Sequence, residues 1–395
     1  MRSKAARSGA RLVAVLILII ATTVQPLSNT YADGLAWSQL DPPVSPAARE
    51  RAGMASSGDG QTLVLFGGEG NSGLLDDTWI LDGMVWSQRR PATWPTNRAG
   101  AAMANDALRG TVVLFGGNGL HGSLDDTWTW DGVTWTEQHP AAHPAPRSDA
   151  AMAYDAASGS VLLFGGLDAR GSFLDDTWTW DGSSWAQRPR TIGPPARRGA
   201  SIAADSPRAK VVLFGGIDAD GLFLGDTWTW DGSTWTNQPP RAYVTGREHS
   251  ALAYDPVSAG LLLFGGFGLR ALHNDVWTWD GDAWKPIEQR PRPPGRQAAA
   301  IATDFVRKRV VLFGGEGFNE RNELVLLGDT WTWGFAGGVA RETTLSATPA
   351  PTSVSSLPQT RGTLQIAIGI VGLVLIGAGV MLRRGTSSRT VRGQS

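Results

Sequence analysis

Hydrophobic runs of four or five residues recur along the chain in one fixed setting. Each is rich in Val and Leu and runs straight into Phe-Gly-Gly, as in Thr62-Leu-Val-Leu65 before Phe66 and Lys210-Val-Val-Leu213 before Phe214. The triplet starts at Phe66, Phe115, Phe164, Phe214, Phe264 and Phe313, at steps of 49 or 50 residues. Each copy is followed by Asp-Thr/Val-Trp, beginning at Asp77, Asp126, Asp176, Asp226, Asp275 and Asp329. An aromatic run, a tight turn and a further tryptophan segment complete the unit.

One unit reads as four strands. In the third unit they are placed near 150–154, 160–164, 177–180 and 184–187. Gly165-Gly166 turns the chain sharply without a Cβ penalty, and Asp181-Gly182 supplies the last hairpin. Side chains alternate along a strand, so Trp178 and Trp180 share a face and both pack on a neighbouring sheet. Four-stranded units repeated in this way predict an all-β propeller of six blades. The fourth-strand tryptophan occurs at Trp86, Trp135, Trp185, Trp235 and Trp284, but the sixth unit stops at Trp333-Gly334 without one. An unattached Trp37-Ser-Gln39 precedes the first unit. The expectation is that this N-terminal strand completes the sixth blade and closes the ring.

The double glycine after a hydrophobic strand, the aromatic strand and the final tryptophan, six times over residues 37–333, resemble the kelch repeat. That family characteristically has Tyr where this chain has Trp-Thr-Trp, a conservative change in packing terms. The resemblance implies a β-propeller but no single function, because kelch folds include protein-binding adaptors, a copper-radical sugar oxidase and sialic-acid epimerases.

The ends read differently from the body. Arg2, Lys4, Arg7 and Arg11 precede an apolar run at 12–24, and Thr30-Tyr31-Ala32 offers small residues for a signal peptidase. Residues 1–32 are expected to be a cleaved signal peptide, with an uncleaved anchor as the alternative. Residues 33–337 form the propeller. Residues 338–362, rich in Ser, Thr and Pro, read as a stalk. The apolar run 364–382 spans about 28 Å as a helix, enough for a bilayer core, so 363–382 is expected to be a transmembrane helix. Arg383 and Arg384 open a basic tail, 383–395, that the positive-inside rule places in the cytoplasm. The propeller then lies outside the cell, at a single-pass membrane anchor. Leu357-Pro-Gln-Thr360 before this span resembles a sortase signal, with Arg361 where that motif has Gly; cell-wall attachment is the alternative to a retained helix.

Composition narrows the chemistry. The chain has 395 residues, a formal charge of −1 and no concentrated basic surface in its body, which argues against nucleic acid. With no cysteine, thiol catalysis, thiolate metal sites and the cysteine-crosslinked tyrosine of the copper oxidases are all excluded. His121, His139, His143, His249 and His273 form no metal set, and Pro140 and Pro144 rule out a helix that would align two of them. No cofactor is expected. The Asp125-Asp126 pair reads as turn and strand-cap duty, since only Asp126 recurs in every unit.

Arg49, Arg98, Arg147, Arg197, Arg247 and Arg296 open the six units at one register. They could ring the channel as an anion site, but a group present in every blade is better explained by architecture, each pairing with the Asp that begins strand three. Variation is the better guide to function. The loops after Gly-Gly and the linkers between units share one face, while the other face carries short turns. Candidate ligand-binding residues on the variable face are Glu69, Asn118, Asp168, Asp218, Glu316 and Arg321. Trp94 joins them as the one tryptophan of 18 outside the repeat positions. Pro91 and Pro95 stiffen its loop, which suits stacking on a sugar or anchoring a protein, with Glu69 and Asn118 as companions; the alternative is that it folds back over a blade edge. The expected function is a non-enzymatic surface module binding a glycan or protein. The competing reading is a sugar-acting enzyme similar to the sialic-acid epimerases, in which Glu69 or Glu316 works beside a ring arginine.

Overall fold

The computed structural model describes residues 34–335, apart from 190, 191, 270, 289 and 320. The expected signal peptide, stalk, transmembrane helix, basic tail and Thr360 all lie outside the described residues. Among the described residues no helix is long and apolar enough to cross a membrane.

The fold is all-β and antiparallel. The four-strand path recurs in six sheets, numbered here in chain order. Sheet 3 runs Ala151–Asp155, Ser160–Asp168, Phe173–Trp180 and Trp185–Gln187 from its inner to its outer edge. Its second and third strands extend further past Gly-Gly than the sequence pattern indicates, with a bulge between Phe164 and Gly166. Gly165 has φ +65°, and a Cβ there would lie 2.8 Å from the carbonyl oxygen of Arg197 in the next sheet. The double glycine therefore provides both the turn and the close approach between sheets.

The N-terminal strand Leu35–Leu40 pairs with Thr330–Phe335 in sheet 6, with Trp37 opposite Trp333 and Leu40 opposite Thr330. Sheet 6 is thus built from both ends of the domain. Trp37 also meets Phe264 of sheet 5 at a centroid distance of 5.4 Å. The same Trp–Phe pairing joins Trp86 to Phe313, Trp135 to Phe66, Trp185 to Phe115, Trp235 to Phe164 and Trp284 to Phe214. Six such pairs link each sheet to the one before it and return sheet 1 to sheet 6. Five of these contacts are edge-on and that of Trp37 is tilted; each combines apolar burial with aromatic packing that adds about 1 kcal/mol per pair beyond the area term.

Polar partners repeat with the same register. Trp86, Trp135, Trp185, Trp235 and Trp284 donate Nε1–H to Thr330, Thr78, Thr127, Thr177 and Thr227, at 2.9–3.0 Å. The faces of the molecule follow from the strand ends. Phe335 and Leu35 lie opposite each other at the end of sheet 6 nearest the 305–308 turn, so both ends of the described chain leave on the short-turn face.

Candidate functional site

The six repeat arginines are buried, each about 1 % exposed. Arg49 grips Asp77 through Nη1 at 2.5 Å and Nη2 at 2.9 Å, donates to the Gly67 carbonyl, and turns Nε onto Ala47. Arg98–Asp126, Arg147–Asp176, Arg197–Asp226, Arg247–Asp275 and Arg296–Asp329 repeat this two-pronged pair. Each aspartate also accepts Nε1–H from the tryptophan two residues on, at 2.6–2.8 Å. Arg98 and Arg247 also bond Thr96 and Thr245 and so use all five donors. At least four of the five are committed in each of the others, which favours an architectural role over an anion site at the axis. Burial pushes the acids upward, but the Arg hydrogen bonds and charge outweigh it, holding Asp77, Asp176, Asp226, Asp275 and Asp329 below the usual aspartate value.

Two residues beyond each arginine the chain forms a second ring. Arg51 N donates to Ala298 O, Gly100 N to Arg51 O, Asp149 N to Gly100 O, Gly199 N to Asp149 O, His249 N to Gly199 O and Ala298 N to His249 O, all at 2.8–3.0 Å. Six backbone hydrogen bonds thus form a closed circle. All six residues are left-handed, with φ between 51° and 65°. Gly100 and Gly199 meet that demand without strain, whereas Arg51, Asp149, His249 and Ala298 each carry a cost of about 1 kcal/mol.

The side chains of this ring break its symmetry. Arg51 holds Asp149 in a two-pronged pair at 3.1 and 2.7 Å, although they belong to sheets 1 and 3. His249 Nε2 stands 3.5 Å from Asp149 Oδ1, long for a hydrogen bond. Asp149 is buried, which opposes ionisation; the nearby His249 and Arg51 more than offset this and keep its carboxyl far below the ordinary range. Next to it, Glu248 Oε2 lies 3.5 Å from His249 Nδ1 and 3.6 Å from Arg198 Nη2. Four side-chain atoms here are buried without a hydrogen-bond partner: Arg198 Nε, Glu248 Oε2, His249 Nε2 and Ser250 Oγ. His249 and Ser250 line a cavity of about 150 Å³ at the channel mouth, together with the rest of the ring and small residues such as Ala52 and Ala200.

The loop candidates divide into two groups. Glu69 faces Glu50 across a short ribbon, and Glu316 accepts from Gln297 Nε2 at 2.8 Å; both are half-buried beside the ring. Asn118 lies in the long second strand of sheet 2 and bridges Ala99 through its backbone. Asp168 Oδ1 accepts two backbone N–H groups of its own loop, from Arg170 and Ser172, and Asp218 Oδ1 does the same for Asp220 and Leu222. These two oxygens serve the turns. Arg321 is exposed, its N–H held by Asn319 in an equivalent turn. Trp94 is 48 % exposed and donates Nε1–H to Asp76 at 3.2 Å, a partner different from either companion expected for it.

A larger cavity, about 670 Å³, opens on the opposite, short-turn face. Met54, Met103, Met152, Ile202, Leu252 and Ile301 line it at one register, with Tyr254 stacked on Phe305 near its rim. The short-turn face is therefore not featureless, although the charged groups described above collect at the other end. Sequence reasoning missed Arg51, Asp149, His249 and Glu50. The available signal was the changing residue at a fixed register, two positions after each repeat arginine. Among the described residues no cluster of His, Asp and Glu is arranged to hold a metal ion.

The family described as the KLHDC2/KLHL20/DRC7 Kelch-repeats domain matches residues 27–187 and 161–356. The chain belongs to the kelch-repeat family, and its all-β fold is of the kelch β-propeller type. Kelch repeats in general mediate binding to other proteins. No curated protein matches the sequence.

Proposed function

We propose that the chain is a six-bladed kelch propeller held at the cell surface, and that it binds a protein partner on the face carrying the channel mouth. The observation that supports this most is the concentration of strained, charged and unpartnered groups at that mouth. Arg51, Asp149 and His249 occupy left-handed positions that glycine fills equally well in sheets 2 and 4. Strain retained at such a cluster is the mark of a working site rather than of a scaffold.

The size of the mouth favours a protein ligand. A cavity near 150 Å³ falls below the ~300 Å³ at which small-molecule pockets begin. It suits one inserted side chain better than a sugar ring. The competing sugar-acting enzyme draws support from the His249–Asp149 contact, an arrangement compatible with acid–base work. Against that reading, Arg51 is committed to Asp149 and little room remains for a substrate. Glu69 and Glu316 are assigned to the docking surface, with Asn118, Arg321 and Trp94 at its rim.

Surface attachment rests on the sequence: the basic-then-apolar start, and the apolar run 364–382 followed by Arg383 and Arg384. Both described chain ends leave the propeller on the short-turn face. The test is to place a photo-crosslinking residue at position 69 or position 107, on opposite faces, in the full chain on its own cells. Partners should be captured from position 69 and bind the purified chain afterwards. Capture from position 107 alone would show that the wrong face has been assigned.

A further inference from the structure

Glu50 and Glu69 stand directly opposite each other across the ribbon formed by Arg49–Glu50 and Glu69–Gly70. Like charges in that relation destabilise a strand pair. The equivalent neighbours in the other sheets avoid it: Ala99 with Asn118, Ser148 with Leu167, Arg198 with Ile217, Glu248 with Phe267 and Gln297 with Glu316. Glu316, from sheet 6, brings a third carboxylate near Glu50. Burial, and then the charges of Glu316 and Glu69, raise the Glu50 carboxyl above its ordinary value in spite of Arg51. Among the described residues no lysine or arginine hydrogen-bonds to any of the three.

The second observation comes from sheet 5, the neighbour of sheet 6 around the ring. Glu248 is 7 % exposed, and its Oε2 accepts no hydrogen bond. It hangs over the cavity-lining Gly199, where a Cβ would lie 3.2 Å away. Around the mouth the carboxylates Glu50, Glu69, Glu316, Asp149 and Glu248 stand beside Arg51, Arg198 and His249. Asp149 is already answered by Arg51, and Glu248 by Arg198 and His249, which leaves Glu50, Glu69 and Glu316. The remaining excess is negative, partly desolvated, and too dispersed for a metal ion.

We propose that the channel mouth receives the cationic side chain of a lysine or arginine from the partner polypeptide, its charged end lying between Glu50, Glu69 and Glu316. This rests on the protein-binding reading above. A long side chain can lay its alkyl stem along the small alanines beside the ring, such as Ala52 and Ala299, and carry a charged group to the acids. The insertion replaces like-charge repulsion with charge-assisted hydrogen bonds, the stronger kind.

The experiment screens the full chain against a random peptide library, with every binder remade carrying citrulline for arginine or acetyl-lysine for lysine. The expected result is a basic residue at one fixed position, with binding weakened tenfold or more by neutralising it. Glu50→Gln with Glu69→Gln should cause a comparable loss while leaving the melting temperature unchanged or higher. A Glu137→Gln control, on an exposed outer strand, should do neither. Binders with no basic preference, or binders indifferent to Glu50→Gln and Glu69→Gln, overturn the cation site but leave the docking face standing. A library that yields no binder overturns both.

Discussion

Trp37 and Val276 belong to one buried cluster at the junction of sheets 6 and 5, and the indole N–H of Trp37 finds no partner there. At the five equivalent junctions a threonine accepts that hydrogen bond. Val276 is the single valine in that register, in the sheet against which the ring-closing strand packs. A buried, unsatisfied N–H costs about 1–3 kcal/mol. Val276→Thr should therefore raise stability by roughly 1 kcal/mol, the net value of an ordinary hydrogen bond. Denaturant unfolding of the two proteins checks this, and the reciprocal Thr330→Val should cost a similar amount by stranding Trp86.

Removal of the closing strand is the larger perturbation. Leu35 and Trp37 are 2 % and 1 % exposed, and the strand supplies the outer edge of sheet 6. Deleting residues 33–41 exposes the edge at Thr330–Phe335 and uncovers Phe264, creating both an unpaired strand and an apolar patch. A loss on the order of 4 kcal/mol or more is expected from the Trp burial alone. A deletion protein that melts with the full chain would refute the closure.

The scaffold was legible because most repeat residues make the same contact in every unit. Arg147 with Asp176, or Trp185 on Phe115, is one physical solution written many times, and its spacing survives in the sequence. The site was harder to read because its residues share a place and not a type. Arg51, Asp149 and His249 have no resemblance to one another, and glycine holds two of the intervening positions. Glu69 and Glu316 stood out as loop variants, but their neighbour Glu50 gave no local sign that it faced them. Asp168 and Asp218 looked available because an acid in a loop does not announce the turn that its own oxygen is holding.

Acid should unfold the propeller through its arginine-held aspartates. In the folded chain Asp77, Asp176, Asp226, Asp275 and Asp329 lie below their ordinary value, so the unfolded chain takes up protons first as pH falls. The contribution is present above the unfolded aspartate value, near pH 4, and declines as pH drops through the folded values below it. Stability measured from pH 6 downward should hold to about pH 4 and then fall steeply. Arg197→Ala leaves Asp226 partly buried without its partner and should cost about 3–5 kcal/mol at neutral pH, with a shallower acid decline.

The backbone ring allows strain to be separated from function. Ala298 has φ 52° and its side chain makes no polar contact, so Ala298→Gly removes a left-handed penalty at the expense of a freer unfolded chain. A gain of up to about 1 kcal/mol is expected, with partner binding unchanged. His249→Gly relieves the same backbone strain but empties the place beside Asp149 and Glu248. Its stability should change by less than about 1 kcal/mol while binding falls. Equal loss of binding in both glycine variants would mean that the ring geometry, and not the imidazole, is what the partner reads.

Trp94 offers the remaining distinction between scaffold and surface. Nearly half of it is open to solvent, and its one polar contact is the hydrogen bond to Asp76. Its neighbour Thr93 ties the loop down independently through the Trp135 carbonyl, so the loop does not depend on the indole for its position. Trp94→Ala should accordingly lower stability by no more than about 1 kcal/mol, far from the 3–5 kcal/mol of a buried tryptophan. If Trp94 anchors the partner at the rim, the same change should weaken binding tenfold or more, since exposed aromatics on stiff loops are frequent interface anchors. Calorimetric melting and partner titration on one preparation resolve the two roles. A large fall in melting temperature, with binding intact in the folded fraction, assigns the indole to the blade edge.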